Sequence, residues 1–489
     1  MSRSTAAVDF ESMLHDAVAL HRAGRLAEAE PVYLALLRDN PRHFNALHLL
    51  GVVRQQQGRH LEAVEFIGRA LSLRPDDAAA LSNRGLSLRE LGRAHEALAS
   101  CEQALRLKPD YADAHNNRGL ALAALRRPAE ALKSYEAALA HAPSHLDALN
   151  NRGIALFDMD RGDEAVACFD RALAIRPGHA HAHWNRAQVL LLSGDFARGW
   201  PEHEWRLASN PGLPRNFAQP LWLGDAPLAG KTILLHAEQG LGDTIQFCRY
   251  APMVAAHGAR VVLEVQRPLV DLMRTLDGAI EVVARGDALP DFDFHCPLLS
   301  LPLAFKTELA TIPAQVPYLR APAGAMDWNA RLGTKRPRIG LVWSGNPGHK
   351  RDAARSIPFY ALMPLFELDA AFVSLQKDVR DSDAPVLKQT GRVIDISSNL
   401  TSFADTAALI ATLDLVFSVD TSVAHLAGAL GKPLWLLLPQ VPDWRWLMRR
   451  DDSPWYPTAR LFRQDATRAW GPVVARLRAA LGEMMARGA

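Results

Sequence analysis

The sequence has few cysteines, little net charge and no long apolar run, and each shortage excludes a class of protein. Its four cysteines are scattered, so they offer no zinc-type spacing, and a disulfide framework does not suit a chain this long. They are typical of core thiols in a reducing compartment, and they are Cys101, Cys168, Cys248 and Cys296. The 55 basic residues nearly balance the 53 acidic ones, which argues against a dedicated binder of nucleic acid or acidic membranes.

Apolar segments are short along the whole chain. No segment approaches the length of a membrane span, and Met1 to His15 lacks the apolar run of a signal peptide. We therefore expect a cytoplasmic protein with no membrane span. At 489 residues the chain is too long for one hydrophobic core, so two or three domains are expected.

A repeat of 34 residues occupies the first 211 positions. Prolines recur at this step, at Pro41, Pro75, Pro109, Pro143, Pro177 and Pro211. Small residues keep the same step, at Gly51, Gly85, Gly119 and Gly153, at Ala63, Ala97, Ala131 and Ala165, and at Ala70, Ala104, Ala138 and Ala172. The spacing matches the tetratricopeptide pattern of paired helices. Glycine and the first alanine let the two helices of a repeat cross closely, and proline ends the second helix.

The repeats at both ends are degenerate, as capping repeats usually are. Ala17 and Ala187 stand in the glycine position, and Gly199 stands in the position of the first alanine. We therefore predict an α-helical solenoid over residues 10–211, with about six repeats of which four are regular. Such a solenoid is expected to hold a protein or peptide partner. Solenoids also associate through their outer faces, so the sequence leaves open whether the protein forms a homo-oligomer.

Asparagine recurs in the first helix of successive repeats, although it is a poor helix former. The positions are Asn83, Asn117, Asn151 and Asn185. First helices line the concave side of such solenoids, where a row of amides could bind an extended peptide backbone without reading its sequence. The row resembles the asparagine ladder in the solenoid of eukaryotic protein O-GlcNAc transferase. Two alternatives remain, namely simple duplication and hydrogen bonding between neighbouring helices.

The pattern changes after a proline-rich linker, Pro211 to Pro220. Short β-branched runs then alternate with helical segments, which predicts βαβ units in two α/β domains, residues 220–325 and 336–489. Strands are predicted at Thr232–His236, Arg260–Val265, Ile280–Val283, Phe292–His295, Ile339–Trp343, Phe372–Leu375, Val393–Ile396, Leu415–Ser418 and Leu434–Leu438. Helices are predicted at Asp243–Ala256, Pro358–Phe366, Ser402–Thr412, Thr421–Leu430 and Trp470–Met485. Ligands of such domain pairs usually bind in the cleft between them.

The first candidate loop for chemistry is HAEQGLGDT, from His236 to Thr244. Gly240 and Gly242 let the backbone turn tightly at a helix start, where free N–H groups face a ligand. Asp243 is predicted as the N-cap of that helix, and capping could be its whole role. The full dinucleotide-binding fingerprint is absent.

The second loop, SGNPGHKRDAARSI, runs from Ser344 to Ile357 and is strongly basic. It carries His349, Lys350, Arg351 and Arg355. It is not a Walker loop, since no Gly-Lys-Ser/Thr sequence closes it. A cationic loop after a strand nevertheless suits a phosphate group. The alternative is an ordinary solvated basic loop.

The third loop, SVDTSVAH, runs from Ser418 to His425 between a strand and a helix. Asp420, Thr421 and Ser422 would offer a carboxylate, two hydroxyls and backbone N–H groups at the helix start. That set suits a sugar hydroxyl and a diphosphate together. The alternative is a pair of capping residues.

A later segment, PDWRWLMRRDDSPWY, is dense in tryptophan and charge. Trp444, Trp446 and Trp455 could stack on a sugar or a base, but packing at a domain interface is the favoured interpretation. Asp451 and Asp452 are interpreted as a solvated turn.

Taken together, the loops resemble glycosyltransferase family 9, the group of bacterial ADP-heptose:lipopolysaccharide heptosyltransferases. The resemblance covers Lys231 to Leu481 and is most specific in GLGDTIQ, Gly240 to Gln246, and in SVDTSVAHLAGALGKP, Ser418 to Pro433. It implies a two-domain GT-B fold. Together with the repeats, the chain is similar to the bacterial tetratricopeptide-repeat glycosyltransferases.

The resemblance also implies roles for individual residues. Asp243 corresponds to the general base of an inverting, metal-independent transfer. Asp420 corresponds to the residue that holds the donor sugar, Thr421 and Ser422 correspond to the positions at the diphosphate, and His425 belongs to the same matching run. Arg355 falls where the heptosyltransferases carry a phosphate-binding lysine, a departure that keeps the charge but changes the geometry. Lys350 in the same basic loop is a further candidate for binding the substrate. Gln376 corresponds to a contact with the nucleoside ribose.

We therefore expect an enzyme that transfers a sugar from a nucleotide-diphosphate donor to a protein held by the repeats, without a metal ion or a further cofactor. Two alternatives remain. The acceptor could be a lipid-linked or cell-envelope glycan, with the repeats serving assembly. The second half could instead be a scaffold domain that has lost turnover.

Overall fold

The structure is a computed structural model, and it describes residues 2–210, 212–213, 215–349 and 351–488. The chain divides into two compact units, Met1–Asn185 and Arg186–Ala489. Among the described helices, none combines the length and the apolar composition that a membrane crossing requires.

The first unit is a run of helices that pack in pairs, as the repeat predicts. They are α1 (Ser2–Arg22), α2 (Leu26–Asp39), α3 (Phe44–Gln56), α4 (His60–Leu73), α5 (Ala78–Glu90), α6 (Ala94–Leu107), α7 (Ala112–Ala124), α8 (Pro128–His141), α9 (Leu146–Asp158) and α10 (Gly162–Ile175). A sixth pair follows with α11 (Ala180–Ser193) and α12 (Phe196–His203), and then the short α13 (Arg206–Ser209). The helical solenoid is confirmed.

The repeated glycines lie where the two helices of each pair cross. A Cβ on Gly85 would stand 2.5 Å from Cys101 Sγ and 3.1 Å from the carbonyl oxygen of Ala97. A Cβ on Gly153 would stand 2.5 Å from Phe169 Cε1. Only hydrogen fits at these places, because real Cβ atoms do not approach other heavy atoms so closely. The predicted reason for the repeat of glycine and alanine is therefore confirmed.

The first sheet of the second unit has four parallel strands in the order β3-β2-β1-β4. They are β1 (Thr232–His236), β2 (Arg260–Val265), β3 (Ile280–Ala284) and β4 (Phe294–Pro297). The helices between and after them are α14 (Leu241–Phe247), α15 (Ala251–Ala256), α16 (Val270–Met273) and α17 (Leu301–Ala304). The central strands read as continuous apolar runs because both faces of the sheet are covered: Leu234 and Leu263 are fully buried.

The second sheet has six parallel strands in the order β10-β9-β8-β5-β6-β7. They are β5 (Arg338–Val342), β6 (Ala371–Ser374), β7 (Val393–Ile394), β8 (Leu415–Val419), β9 (Leu434–Leu438) and β10 (Ala459–Arg463). Its helices are α18 (Asn329–Leu332), α19 (Asp352–Arg355), α20 (Ala384–Thr390), α21 (Phe403–Ala411), α22 (Ser422–Ala429) and α23 (Gly471–Gly488). With β5 taken as its first strand, this is the 3-2-1-4-5-6 order of doubly wound sheets, and the first sheet repeats the 3-2-1-4 part. The α/β class of this half is confirmed.

Beyond shifts of a residue or two at strand ends, two predicted helices differ from the structure and one strand was missed. The helix expected over Asp243–Ala256 is divided into α14 and α15 by a 3₁₀ turn, because Pro252 has no N–H to continue the helical hydrogen bonds. The helix expected over Pro358–Phe366 is a 3₁₀ helix, Phe359–Glu367, which contains Pro364. Strand β10 was not predicted.

Helices α12 and α13 belong to the second unit and pack onto its first sheet. Trp200 on α12 donates from Nε1 to the carbonyl oxygen of Thr307 at 2.7 Å. Arg206 on α13 forms a buried ion pair with Glu238, just after β1. The compact unit that holds both sheets therefore begins inside the sixth helical pair.

Candidate functional site

The candidate site forms where a loop from each sheet leads into a helix at the carboxyl end of a central strand. One loop joins β1 to α14, and the other joins β8 to α22. The two helices pack together so closely that a Cβ on Gly242 would stand 2.9 Å from His425 Cδ2 and 3.4 Å from Ser422 Cα. Gly242 thus allows the two predicted loops to meet.

Asp243 occupies the third position of α14, and Gly240 is the N-cap. The N-cap prediction for Asp243 is therefore wrong by three residues. The carboxylate instead reaches back to the helix start, where the Gly240 N–H donates to Oδ2 at 2.8 Å. Its other oxygen, Oδ1, accepts from Arg445 Nη2 at 2.5 Å. The Asp243 side chain is 18% exposed, so it keeps a surface toward solvent.

Arg445 lies in a 3₁₀ turn, Trp444–Trp446, that follows β9. It donates from Nε to Gln246 Oε1 at 2.8 Å, from Nη1 to Asp443 Oδ1 at 2.8 Å and from Nη2 to Asp243. Its guanidinium carbon lies 4.4 Å from the centre of the Trp444 ring. The plane of the guanidinium is therefore fixed by three hydrogen bonds and a ring contact.

The ionisable groups of the site are shifted by burial and by one another. Burial raises the pKa of Asp243 above its ordinary value, although Arg445 acts in the opposite direction. Burial and the nearby charge of Asp443 raise the pKa of Asp420 to about 6. Burial opposes the ionisation of Asp443 as well, but the charge and hydrogen bonds of Arg445 outweigh it and lower the pKa. Burial lowers the pKa of His425 to about 3, so its imidazole is neutral near pH 7.

The third predicted loop lies at the start of α22, with Thr421 as N-cap. The Thr421 hydroxyl does not cap the helix and lies 3.2 Å from Ser418 Oγ. The backbone N–H of Ser422 therefore has no side-chain cap among the described residues. His425 is buried, with Nδ1 2.9 Å from Tyr456 Oη and Nε2 3.8 Å from Asp420 Oδ1. His425 thus fixes the helix and faces the Asp420 carboxylate.

Arg355 from the second loop joins the third. Its Nη1 donates to the carbonyl oxygen of Asp420 at 2.9 Å, while its buried Nε has no hydrogen-bond partner among the described residues. A Cβ on Gly345 would stand 2.6 Å from Arg355 Nη2, so the guanidinium lies flat against that glycine. Lys350, which was predicted beside it, lies outside the described residues.

Gln376 follows β6 and is 6% exposed. Its Oε1 accepts from the N–H groups of Trp343 and Ser344, and its Nε2 donates to the carbonyl oxygens of Ser344 and Asp378. The side chain therefore joins the loops after β5 and β6. A contact with a nucleoside stays a prediction, and it would have to replace one of these bonds.

The asparagine ladder is used between neighbouring repeats. Each amide nitrogen donates to a residue 35 positions earlier or contacts it, which places the partner on the first helix of the preceding repeat. The pairs are Asn83 with His48, Asn117 with Ser82, Asn151 with Asn116, and Asn185 with Asn150. This is the inter-helix alternative considered above. The amide oxygens of Asn83 and Asn151 accept no hydrogen bond from another described residue. A bound peptide would therefore have to donate its backbone N–H groups to these oxygens, because the amide nitrogens are already used.

The tryptophan-rich segment packs inside the second unit. Trp444 lies 5.3 Å from Trp200, and Trp455 lies 5.7 Å from Phe247, between ring centres. The favoured interpretation of packing agrees with these contacts. The same segment supplies Asp443 and Arg445, which were not predicted as site residues. Their signal was present as charge between the tryptophans, but sequence spacing alone could not reveal that the segment folds against α14.

Among the described residues, no three His, Cys, Asp or Glu side chains come together as a metal site. The groups that the site brings together are a carboxylate with a raised pKa, a fixed guanidinium and a helix start with uncapped N–H groups.

Comparison with known proteins identifies the repeats. A family model described as tetratricopeptide repeat matches residues 17–79, 48–117, 82–145, 116–178 and 150–199. The N-terminal part of the chain therefore carries tetratricopeptide repeats, which can bind protein partners.

One curated relative extends beyond the repeats. The chain is 27% identical to Protein FlbA of Caulobacter vibrioides over 332 residues, which cover 62% of this chain and 55% of FlbA. The chain therefore matches just over half the length of FlbA. Because 62% of the chain is more than the first unit contains, the aligned region includes residues of the second unit.

Some solved structures are similar to part of the chain. A thermophilic TPR protein of Thermus thermophilus is 26% identical and covers 37% of this chain and 99% of its own, with a TM-score of 0.34. PilF of Pseudomonas aeruginosa is 20% identical and covers 43% of this chain and 95% of its own, with a TM-score of 0.36.

Proposed function

We propose that the protein is an inverting, metal-independent glycosyltransferase that moves a sugar from a nucleotide-diphosphate donor to a protein acceptor bound by the repeats. The proposal takes the second unit as a GT-B fold of the family 9 type. Its support is the order of two parallel sheets and the resemblance in the loops that follow β1 and β8. We place the reaction in the cytoplasm, in keeping with the four unpaired, buried cysteines.

The observation that carries the proposal is the contact between α14 and α22. It brings the helix of Asp243, a carboxylate with a raised pKa, against the start of α22, and Arg445 interacts with the charges of both Asp243 and Asp420. A carboxylate of raised pKa can take a proton at neutral pH. A helix start with uncapped N–H groups suits the developing charge of a diphosphate leaving group. Base and leaving-group site are the two parts that an inverting transfer requires.

The reaction would then proceed in one displacement. Asp243 takes the proton of an acceptor hydroxyl as that oxygen attacks the anomeric carbon, and the bond from that carbon to the diphosphate breaks. The N–H groups at the start of α22 and the guanidinium of Arg355 receive the charge on the departing nucleoside diphosphate. Asp420 holds a hydroxyl of the donor sugar.

Donor binding is tested first, with the full chain. Thermal-shift measurements against nucleoside diphosphates and nucleotide sugars should show stabilisation by at least one of them. Turnover is then measured as release of nucleoside diphosphate. If no nucleotide stabilises the protein, the transferase proposal fails.

The base is tested with Asp243→Asn, which keeps the side-chain size. Turnover should fall by about 10²–10⁴-fold while the thermal shift with nucleotide persists. The matched control is Asp271→Asn on α16, because that side chain is 71% exposed and lies outside the site. Full activity in Asp243→Asn would remove the assignment of the base.

The acceptor is tested by intact-mass analysis of surface proteins from cells with and without this gene. A mass difference of one sugar on a protein, lost again in cells carrying Asp243→Asn, would support a protein acceptor. A difference found only in lipid-linked or envelope glycan would transfer the proposal to that acceptor class.

A further inference from the structure

Arg445 connects carboxylates that come from both α/β halves of the second unit. Asp243 belongs to α14, which follows the first sheet, and Asp443 precedes Arg445 in the turn after β9 of the second sheet. The Arg445 side chain is 9% exposed, so its charge is held largely away from water. Burying a guanidinium is costly unless partners compensate it, and here two carboxylates do so.

The partners fix Arg445 more tightly than a simple ion pair would. Gln246, which is fully buried, accepts from Nε, Asp443 accepts from Nη1, and Asp243 accepts from Nη2. The backbone N–H of Arg445 also donates to Asp443 Oδ1 at 3.1 Å. Three different acceptors on three donor nitrogens allow only one orientation of a planar guanidinium. A lysine could supply the charge but not this geometry.

We propose that Arg445 is the positioning residue of the site, holding Asp243 in the orientation and charge state of a general base, with Gln246 and Asp443 holding Arg445 in turn. This inference rests on the proposed function. It adds that the base becomes competent only when the two α/β halves are in contact, because the base comes from one half and its orienting guanidinium from the other.

The charges around Asp243 define what the loss of Arg445 does. Asp243 interacts with the charges of Arg445 and Asp443 from the turn after β9 and of Arg206 from α13, and the neutral His425 lies against the neighbouring Gly242. Without Arg445, the charge of Asp443 acts on Asp243 more strongly than that of Arg206 does, and a like charge disfavours ionisation. Asp243 would then stay protonated to a higher pH.

The test compares Arg445→Met, Arg445→Lys and wild type in the full chain, with Arg450→Met as control. Arg450 lies in the same segment, but its partner Asp452 has a side chain that is 66% exposed. In Arg445→Met the acidic limb of the kcat/KM profile should move up by about 1–3 pH units, and kcat at alkaline pH should stay about 10²-fold below that of wild type because the orientation of Asp243 is lost as well. In Arg445→Lys the limb should stay near that of wild type while kcat falls by about 10²-fold and the KM for the donor is unchanged.

A second readout does not depend on turnover. A carbodiimide couples an amine to protonated carboxyl groups, and mass spectrometry of peptides reports the labelling of Asp243 at each pH. In Arg445→Met the labelling of Asp243 should persist to a higher pH than in wild type, while labelling of Asp271 is unchanged. Arg445→Lys should label like wild type, and it serves if the methionine variant fails to fold.

The outcomes separate the two proposals. An inactive wild type with a shifted Asp243 labelling profile in Arg445→Met would remove the transferase and with it the role of Asp243 as base, but would keep the control of the Asp243 charge state by Arg445. An active wild type with the same pH limb and the same labelling profile in Arg445→Met would overturn the role of Arg445 and leave the transferase standing.

Discussion

Glu238 accepts two hydrogen bonds from the guanidinium of Arg206, from Nη2 at 2.8 Å and from Nε at 3.1 Å. Both side chains are 1% exposed. Arg206 also donates to Glu204 and to Ser300, so the guanidinium is surrounded by acceptors. Because Glu238 lies between β1 and α14, this pair anchors the loop that leads to Asp243 onto α13.

Replacing Arg206 with methionine should destabilise the second unit by about 3–5 kcal/mol, because it leaves Glu238 buried without its partner. Urea unfolding followed by tryptophan fluorescence measures the effect. Trp184 is the only tryptophan in the first unit, so the signal reports the second unit. The control is Arg198→Met, whose side chain is 69% exposed, and it should cost less than about 1 kcal/mol. Equal effects of the two variants would contradict the anchoring role.

A methyl group on Gly119 should destabilise the repeats, since a Cβ there would overlap the ring of Tyr135. The expected cost of this overpacking is about 1–3 kcal/mol. Hydrogen exchange read by mass spectrometry should show faster exchange in α7 and α8. The matched control is Gly68→Ala on α4, where a Cβ would meet no atom within 4 Å. Gly68→Ala should slow hydrogen exchange in α4, because alanine is a better helix former than glycine by about 1 kcal/mol. Protection of α7 and α8 that is unchanged in Gly119→Ala would disprove the crossing argument.

The asparagines of the ladder are expected to stabilise the repeats through hydrogen bonds between neighbouring first helices. Asn151 donates to Asn116 Oδ1 at 2.9 Å, and Asn116 is 5% exposed. Asn151→Ala should cost about 0.5–1.5 kcal/mol of repeat stability, since that hydrogen bond is lost. In a double-mutant cycle with Asn116→Ala the two costs should not add, because one bond accounts for both. Strict additivity would show that the pair does not act as a unit.

The elements that follow from the spacing of residues along the chain were predicted correctly from the sequence. The step of 34 residues gave the helical pairs, and β1, β2 and β9 occupy the predicted residues without change. The division of α14 from α15 was missed, although Pro252 signals it. The N-cap of α14 was missed because Gly240 has no side chain to signal capping, and the Asp243 carboxylate three residues later accepts from the N–H of Gly240 instead.

Contacts between distant segments could not be predicted in this way. Arg445 lies about 200 positions from Asp243 in the chain, and no spacing rule joins them. The ladder shows the same limit between neighbouring repeats, since the sequence revealed the row of amides and left open whether they bind a peptide or the preceding repeat. The sequence allowed us to select candidate ligand-binding loops, because these loops follow predicted strands. The residues that contact these loops could not be selected, because they depend on how the two sheets pack.

Asp420 is expected to make the protein less stable at neutral pH than an amide would. Its pKa is raised to about 6 in the folded protein by burial and by Asp443, against an ordinary value of about 4 in the unfolded chain. The folded state therefore binds the proton more tightly, and stability falls as the pH rises from about 4 through 6. Above that range the full cost is present.

Asp420→Asn keeps the shape of the side chain and removes the charge. At pH 7.5 the variant should unfold at a higher temperature than wild type, because its free energy of unfolding is larger by about 1–3 kcal/mol. At pH 4.5 the difference in unfolding temperature should shrink, because the Asp420 of wild type is then protonated. The control is the exposed Asp381, whose change to asparagine should alter neither value. If Asp420 holds the donor sugar, the stabilised variant should also lose its thermal response to the nucleotide sugar while keeping the response to the nucleoside diphosphate. A variant that is less stable than wild type at pH 7.5 would show that the Asp420 charge is compensated in the folded protein, which would remove the reason to assign it to a ligand.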